Sequence, residues 1–311
     1  MRVSTAIPTA LPHGRTARRL EWAHLPPHVR ALVERQCGSP VVEAVSQTAG
    51  FTPGFASLLL CEDGTRHFVK AASARAQRMF AESYRTEARR LRTLPPGTPA
   101  PRLRWVHDAD DWVVLGIEAV AARPPHRPWQ PDDLAAASAT VTAMADLLTP
   151  APVGLTSAVE EFAPWLEGWR GIEHPQAAEF RDLAGRYAHV VAGDTLVHTD
   201  IRDDNLLFLG DGTVLLCDWN WPVAGAAWLD SLLLLLGPRG DGLDVEAHIR
   251  NHPLLSAVDP EEIDIVLALV LGYFVASAAQ PVPSFSPYLR EAQAWQRDVL
   301  HDWLTERRDR T

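Results

Sequence analysis

Between the apolar runs Thr195-Leu196-Val197 and Leu206-Leu207-Phe208-Leu209 the chain reads His198-Thr199-Asp200-Ile201-Arg202-Asp203-Asp204-Asn205. One imidazole, three carboxylates, a guanidinium and an amide between strand-like flanks describe a loop displayed from a scaffold, the kind of segment that carries function. Thirteen residues after Asn205, Asp218 closes the apolar run Val214-Leu215-Leu216-Cys217. Asp200, Asn205 and Asp218 are all oxygen donors. Hard cations such as magnesium bind through oxygen and few protein ligands, leaving positions for phosphate and water. A cation at phosphate needs a second positive group nearby, and one residue stands out. Lys70 is the only lysine among 29 basic residues, and it ends the apolar strand-like run His67-Phe68-Val69. A lysine ammonium is a compact point charge on a flexible stem, suited to phosphate oxygens in a tight site.

These residues need elements to hold them. Short apolar runs at Val41–Ser46, Ala56–Cys61, Arg66–Ala71, Arg102–His107 and Trp112–Val120 predict strands, with the Asp63-Gly64 turn closing a hairpin between the second and third. Ser73–Leu94 has helical spacing of Phe80, Tyr84, Ala88 and Leu91 and stops at Pro95-Pro96. A short helix is expected from Pro26-Pro27 towards Gln36. Beyond Val120 the pattern is mostly helical: from Pro131 to about Leu148, then Glu160–Trp169, Gln176–Val191, Ala226–Leu236, Val245–His252, Pro260–Ala279 and Tyr288–Arg308. The expectation is a sheet-rich part over residues 1–120, with residues 1–25 as a loosely structured extension. A helical part over 121–311 holds the polar loop, and a cleft lies at the boundary.

Composition removes several classes. Apolar residues near half and charged residues near a quarter are those of a globular protein long enough for two lobes. Cys37, Cys61 and Cys217 are distant in sequence and lack metal-ligand spacing, so neither a disulfide framework nor a zinc site is indicated, and a reducing, cytoplasmic setting fits. The uncharged run Ile265–Ala279 is shorter than the ~20 residues a membrane span needs and predicts a buried core helix. No basic, aromatic-interleaved surface of a nucleic-acid binder is present. Residues 1–120 carry 16 basic and 11 acidic side chains, and the remainder 13 against 28. That asymmetry suits an anion in the first part and a cation in the second.

The order strand–Lys70, helix–Glu87, His198-x-Asp200-x4-Asn205, strand–Asp218 resembles the protein-kinase-like catalytic set. The form His-Thr-Asp-Ile-Arg-Asp-Asp-Asn-Leu-Leu-Phe with Leu-Leu-Cys-Asp-Trp is similar to the aminoglycoside phosphotransferase family of small-molecule kinases. So are Ala49-Gly50-Phe51-Thr52-Pro53-Gly54-Phe55-Ala56, Phe68-Val69-Lys70-Ala71 and Glu87-Ala88-Arg89-Arg90-Leu91. The likeness covers residues 45 to 235. It implies an α+β, protein-kinase-like two-lobed fold, with an N-terminal antiparallel-sheet lobe and a mostly helical C-terminal lobe. It implies transfer of the γ-phosphoryl group of ATP (or GTP) to a hydroxyl of a small molecule, with Mg2+. Asp200 would then be the catalytic base or the orienter of the acceptor, and His198 would brace the loop. Arg202 would neutralise the moving phosphoryl group, and Asn205 with Asp218 would hold magnesium. Lys70 would meet the α- and β-phosphates with Glu87 aiming it, Gly50 to Gly54 would cover the nucleotide, and the backbones of Glu118 and Val120 would meet adenine. Asp230 is expected to cap or anchor a helix. Trp219-Asn220-Trp221 follows Asp218 where protein kinases have Phe-Gly, and Asn220 replaces an acidic residue, which leaves a second metal open. A catalytically silent nucleotide-binding regulator on the same fold is the alternative, against which all six key positions are filled.

Overall fold

The computed structural model describes residues 5–12, 14–51, 53–172 and 175–309. Thr52 of the glycine loop, His174 and the first four residues of the N-terminal extension lie outside them. Helix α1 (Pro27–Cys37) opens on a proline at its first turn and ends at Gly38 with φ +84°, the left-handed stop that favours glycine. Strands β1 (Val41–Ser46), β2 (Phe55–Cys61) and β3 (Arg66–Ser73) follow, then helix α2 (Arg78–Thr93), β4 (Leu103–Ala109) and β5 (Trp112–Glu118). The five strands form one antiparallel sheet in the order β1-β2-β3-β5-β4. Its central strand is β3. Side chains alternate across a strand, so Val69 and Ala71 pack under α1, while Phe68 and Ala72 face α2. Lys70 lies on the α2 side, above Glu87.

Residues 119–121 link β5 to β6 (Ala122–Arg123), a strand outside the expected set. It pairs with β8 (Leu206–Leu209), which pairs in turn with β9 (Val214–Leu216). The helices are α3 (Pro131–Leu147), α4 (Ala158–Phe162), α5 (Pro175–Ala184), α6 (Tyr187–Val191), α7 (Leu229–Leu233), α8 (Leu236–Gly240), α9 (Val245–Asn251), α10 (Pro260–Ala278) and α11 (Leu289–Arg308). Between α6 and α7 lie β7 (Thr195–Val197) and, after β8 and β9, β10 (Val223–Gly225); β7 and β10 form a second small antiparallel pair.

The expected boundaries shift where the chain has a reason to turn. Ser73 still pairs with Trp112 in the sheet, so α2 starts at Arg78 rather than Ser73. Glu160–Trp169 splits into α4 and a 3-10 segment from Ala163, with Pro164 in its first turn. The long helix expected from Gln176 breaks at Gly185-Arg186 into α5 and α6. Helix α10 is buried over Ile263–Gly272 and packs on α5 and α11, as a core helix should. Among the described residues no helix is long and apolar enough to cross a membrane.

The N-terminal extension is better held than composition suggests. Residues 14–21 form no helix or strand, yet Thr16 and Ala17 donate backbone N–H groups to Thr48 O at 3.0 and 2.9 Å. Earlier in the segment, Ile7 N donates to Gly240 O at 2.8 Å and its carbonyl accepts from Trp295 Nε1 at 2.9 Å. The extension therefore touches the sheet lobe and the helical lobe.

Candidate active site

Lys70 is buried on β3, and its Nζ donates to Glu87 Oε1 at 2.8 Å and Oε2 at 2.9 Å. Glu87 is 1% exposed and projects from the buried face of α2. The same ammonium reaches Asp218 Oδ1, two residues past β9, and so joins the two lobes. Burial alone would push the Lys70 proton off, but the Asp218 and Glu87 carboxylates outweigh it and raise its pKa well above the ordinary lysine value. Burial likewise disfavours charge on Asp218, and Lys70 more than compensates, lowering its pKa. Asp218 adopts φ +62° and Thr199 φ +69°. Non-glycine residues held in that region mark a site built for placement rather than for relaxed backbone.

The polar loop is tied down from three sides. Asp230 on α7 accepts the backbone N–H of His198 (2.7 Å) and of Thr199 (2.9 Å). The Asp200 N–H donates to His198 Nδ1 at 3.2 Å, so Nε2 carries the ring proton and donates to Cys217 O at 2.9 Å. Both ring nitrogens of His198 are spent on backbone, which makes it a brace between the loop and the strand end before Asp218. Asn205 Nδ2 donates to Asp200 O (2.9 Å) and Oδ2 (3.0 Å), leaving its own Oδ1 for another partner. Arg202 Nε lies 3.3 Å from Asp200 Oδ1 and 3.1 Å from Asp204 Oδ1, and its guanidinium sits 5.3 Å from the Phe51 ring centre. Arg202 is thus engaged with Asp204 while keeping contact with Asp200.

The two glycines have different reasons. A Cβ on Gly50, at φ +83°, would sit 3.3 Å from both Arg19 Nη2 and Asp204 Oδ2, so this turn descends onto the polar loop. A Cβ on Gly54 would meet Tyr84 Oη at 2.3 Å, so its constraint is packing under α2. Glu118 ends β5 with its N–H on Arg102 O and its carboxylate on Arg104, and Val120 lies in the link between lobes. Sequence reasoning did not single out Arg19. Its Nη2 donates to Ala49 O at 2.9 Å beside Gly50, and its charge acts on both Asp218 and Glu87. Lying in a stretch without regular structure, it had no periodicity to reveal it.

A cavity of about 710 Å³ runs from Gly50, Asp200 and Arg202 into the helical lobe. Its walls include Trp129, Phe162, Trp165, Phe274 and Trp295, and Leu11 and Pro12 of the extension also line it.

This arrangement of a five-stranded sheet over helices, with the cleft at Lys70–Asp218, is the protein-kinase-like fold. Within that fold the chain is similar in structure to aminoglycoside-phosphotransferase-like proteins. It is similar to spectinomycin phosphotransferase APH(9)-Ia solved with ADP and spectinomycin, at TM-score 0.62 and 12% identity over 90% of this chain and 98% of that one. A thermostable mutant of aminoglycoside phosphotransferase APH(4)-Ia, with ADP and hygromycin B, gives 0.59 and 13% over 90% and 98%. Choline kinase LicA from Streptococcus pneumoniae gives 0.57 and 15% over 87% and 99%. No protein-family model matches the chain, and no curated protein sequence is similar to it.

Proposed function

We propose that this protein is a Mg-dependent small-molecule kinase, moving the γ-phosphoryl group of ATP (or GTP) to an acceptor hydroxyl. The observation that carries it is the convergence of Lys70, Glu87 and Asp218 from both lobes opposite Asp200 and Asn205. In this reading residues 1–120 hold the nucleotide and 121–311 the catalytic loop and acceptor. Lys70, aimed by Glu87, meets the phosphates beneath the Gly50–Gly54 loop, and the Glu118–Val120 backbone takes the base. Asp200 orients the acceptor hydroxyl and takes its proton, Arg202 offsets the charge on the moving group, and His198 keeps the loop in place.

The donor set fits a hard cation. Asp218 and Asn205 offer oxygens, and Asn220 Oδ1, two residues on, is buried with no hydrogen-bond partner among the described residues. Asp218, Asn205 and Asn220 would hold magnesium, which would supply positive charge to neutralise the phosphates.

The acidic balance of the helical lobe suggests a cationic acceptor, but the acids at the cavity are already answered. Asp203 binds Arg127 and receives the Trp129 indole N–H at 2.9 Å, while Asp204 and Asp200 lie 3.1 and 3.3 Å from Arg202 Nε. Exposed Glu161 at the wall makes no ion pair among the described residues. This supports an acceptor with a largely apolar body, its hydroxyl at Asp200 and room for one amino group at Glu161.

The test is ADP release with Mg·ATP over hygromycin B, spectinomycin, choline and neutral hydroxylated macrocycles, with Asp200→Ala as the blank. Turnover above the blank is expected, strongest for the macrocycles. Turnover confined to the polycationic sugars overturns the acceptor class alone. Nucleotide binding with no transfer to any acceptor overturns the kinase reading in favour of a silent nucleotide-binding regulator.

A further inference from the structure

The face of the sheet under α1 carries a second cluster of reactive side chains, on the opposite side of β3 from Lys70. Cys61 ends β2 on the face shared with Leu59, and His67 stands opposite Leu59 in the β2–β3 register. Helix α1 lies on that face, and its last residue, Cys37, comes down beside them. Spacings of 24 and 6 residues conceal the grouping, since it is made by the packing of a helix end on a hairpin end. The two sulfurs and an imidazole nitrogen all lie within 4.8 Å of one another.

We propose that Cys37, Cys61 and His67 form a binding site for a soft divalent cation of the zinc type. Two thiolates and an imidazole are the ligand set of zinc and of its thiophilic neighbours; magnesium and calcium demand oxygen. Tetrahedral zinc, with bonds of about 2.3 Å to sulfur and about 2.0 Å to nitrogen, places its ligand atoms roughly 3.5–3.8 Å apart, so the observed group needs at most about an ångström of closure. Side-chain rotation at two half-buried residues, Cys37 and His67, supplies it.

The surroundings are those of a ligand held in position. Thr65 Oγ1 gives its proton to Asp63 Oδ1 at 2.7 Å, so the contact at 3.0 Å between Thr65 Oγ1 and His67 Nε2 must be donated by the ring. That hydrogen bond fixes the imidazole tautomer with its lone pair on Nδ1, the outer-shell pattern that metal-binding histidines use. The Asp63 and Glu34 carboxylates lie within electrostatic reach of the Cys37 sulfur and favour a cation there. Binding releases the two thiol protons to solvent, and water or the Asp63 carboxylate completes four-coordination. The bound ion would fasten the C-terminal end of α1 to the β2–β3 hairpin.

The experiment is to load full-length, tag-free protein with ZnCl2 under reductant, pass it over a chelating resin and measure zinc by elemental analysis. One zinc per chain is expected, with a rise in Tm of several degrees and protection of Cys37 from iodoacetamide that EDTA abolishes. Cys37→Ser and His67→Gln should each lose the retained zinc. They should also lose the Tm response while keeping the far-UV spectrum and the Mg·ADP affinity. Cobalt in place of zinc should give the absorption of a tetrahedral thiolate complex in the parent protein and not in the variants. Zinc retained equally by parent and variants, or not retained by the parent, overturns the site. So does a Cys37–Cys61 disulfide that forms in air at the same rate with or without zinc.

Discussion

Lys70 and Asp218, 148 residues apart, form an ion pair across the cleft, and Glu87 completes the ammonium's environment from a third element. A buried ion pair contributes little net stability, because desolvation offsets its attraction, yet removing one partner leaves the other charged and unpaired.

Lys70→Met should strand Glu87, which is 1% exposed. Urea unfolding is expected to show a loss of about 3–5 kcal/mol, and isothermal titration should show markedly weaker binding of Mg·ADP. The double variant Lys70→Met/Glu87→Leu should regain most of the stability and none of the binding. Full stability of the single variant would contradict the geometry.

Asp200 and Asp230 act at different levels, and kinetics should separate them. Asp200→Ala is expected to lower phosphoryl transfer by about 10²–10⁴-fold, with Mg·ADP affinity unchanged. Asp230→Ala removes the acceptor for two loop N–H groups. It should cost about 1–3 kcal/mol of stability as well as turnover. An Asp200 variant that turns over normally would remove it from the reaction.

His252 should make stability pH-dependent. Its Nδ1 accepts the N–H groups of Leu254 and Leu255 and its Nε2 meets Thr142, so the folded ring is neutral. Burial, with the neighbouring His248, lowers its pKa from 6.5 to about 4. The unfolded ring gains a proton below pH 6.5 and the folded one only near 4. The stability it contributes is complete above pH 6.5 and is lost as pH falls from 6.5 to 4. His252→Gln should flatten the difference in unfolding free energy between pH 7 and pH 5 by about 1–2 kcal/mol. A pH 7 to pH 5 difference in unfolding free energy that is the same for His252→Gln as for the parent, measured by denaturant titration, would refute this.

Gly54 and Tyr84 offer a coupled test. Gly54→Ala places a methyl group 2.3 Å from Tyr84 Oη, and that hydroxyl is buried without a hydrogen-bond partner among the described residues. The single variant should be destabilised by about 1–3 kcal/mol. Tyr84→Phe should be near neutral alone and should restore part of the loss in the pair, a non-zero coupling in the double-mutant cycle.

Much of this was legible in the sequence. Lys70, Glu87, His198, Asp200, Asn205 and Asp218 are brought into one cleft because each sits on an element that local pattern announces: a strand end, a helix face, a loop between apolar runs. Helix boundaries shifted where Ser73 stayed in the sheet and where Pro164 and Gly185 interrupt otherwise helical stretches. Strands as short as Ala122–Arg123 and Val223–Gly225 carry too few residues for a period of two to show. Arg19 and the grouping of Cys37 with Cys61 and His67 were not legible, because each depends on a contact between segments distant in sequence. The net charge of the helical lobe does not by itself describe the acceptor's surroundings, since a count of acids does not say that Arg127 and Arg202 already hold Asp203, Asp241, Asp200 and Asp204.

The extension sets a mechanical limit. Ile7 is bonded to Gly240 and Trp295 on one jaw, and Thr16 to Thr48 on the other, with nine peptide steps between them. At about 3.3–3.6 Å per extended residue that stretch reaches roughly 30 Å and no further. While both ends hold, Ile7 and Thr16, and with them their anchors on the two lobes, are tied together by no more than that length of chain.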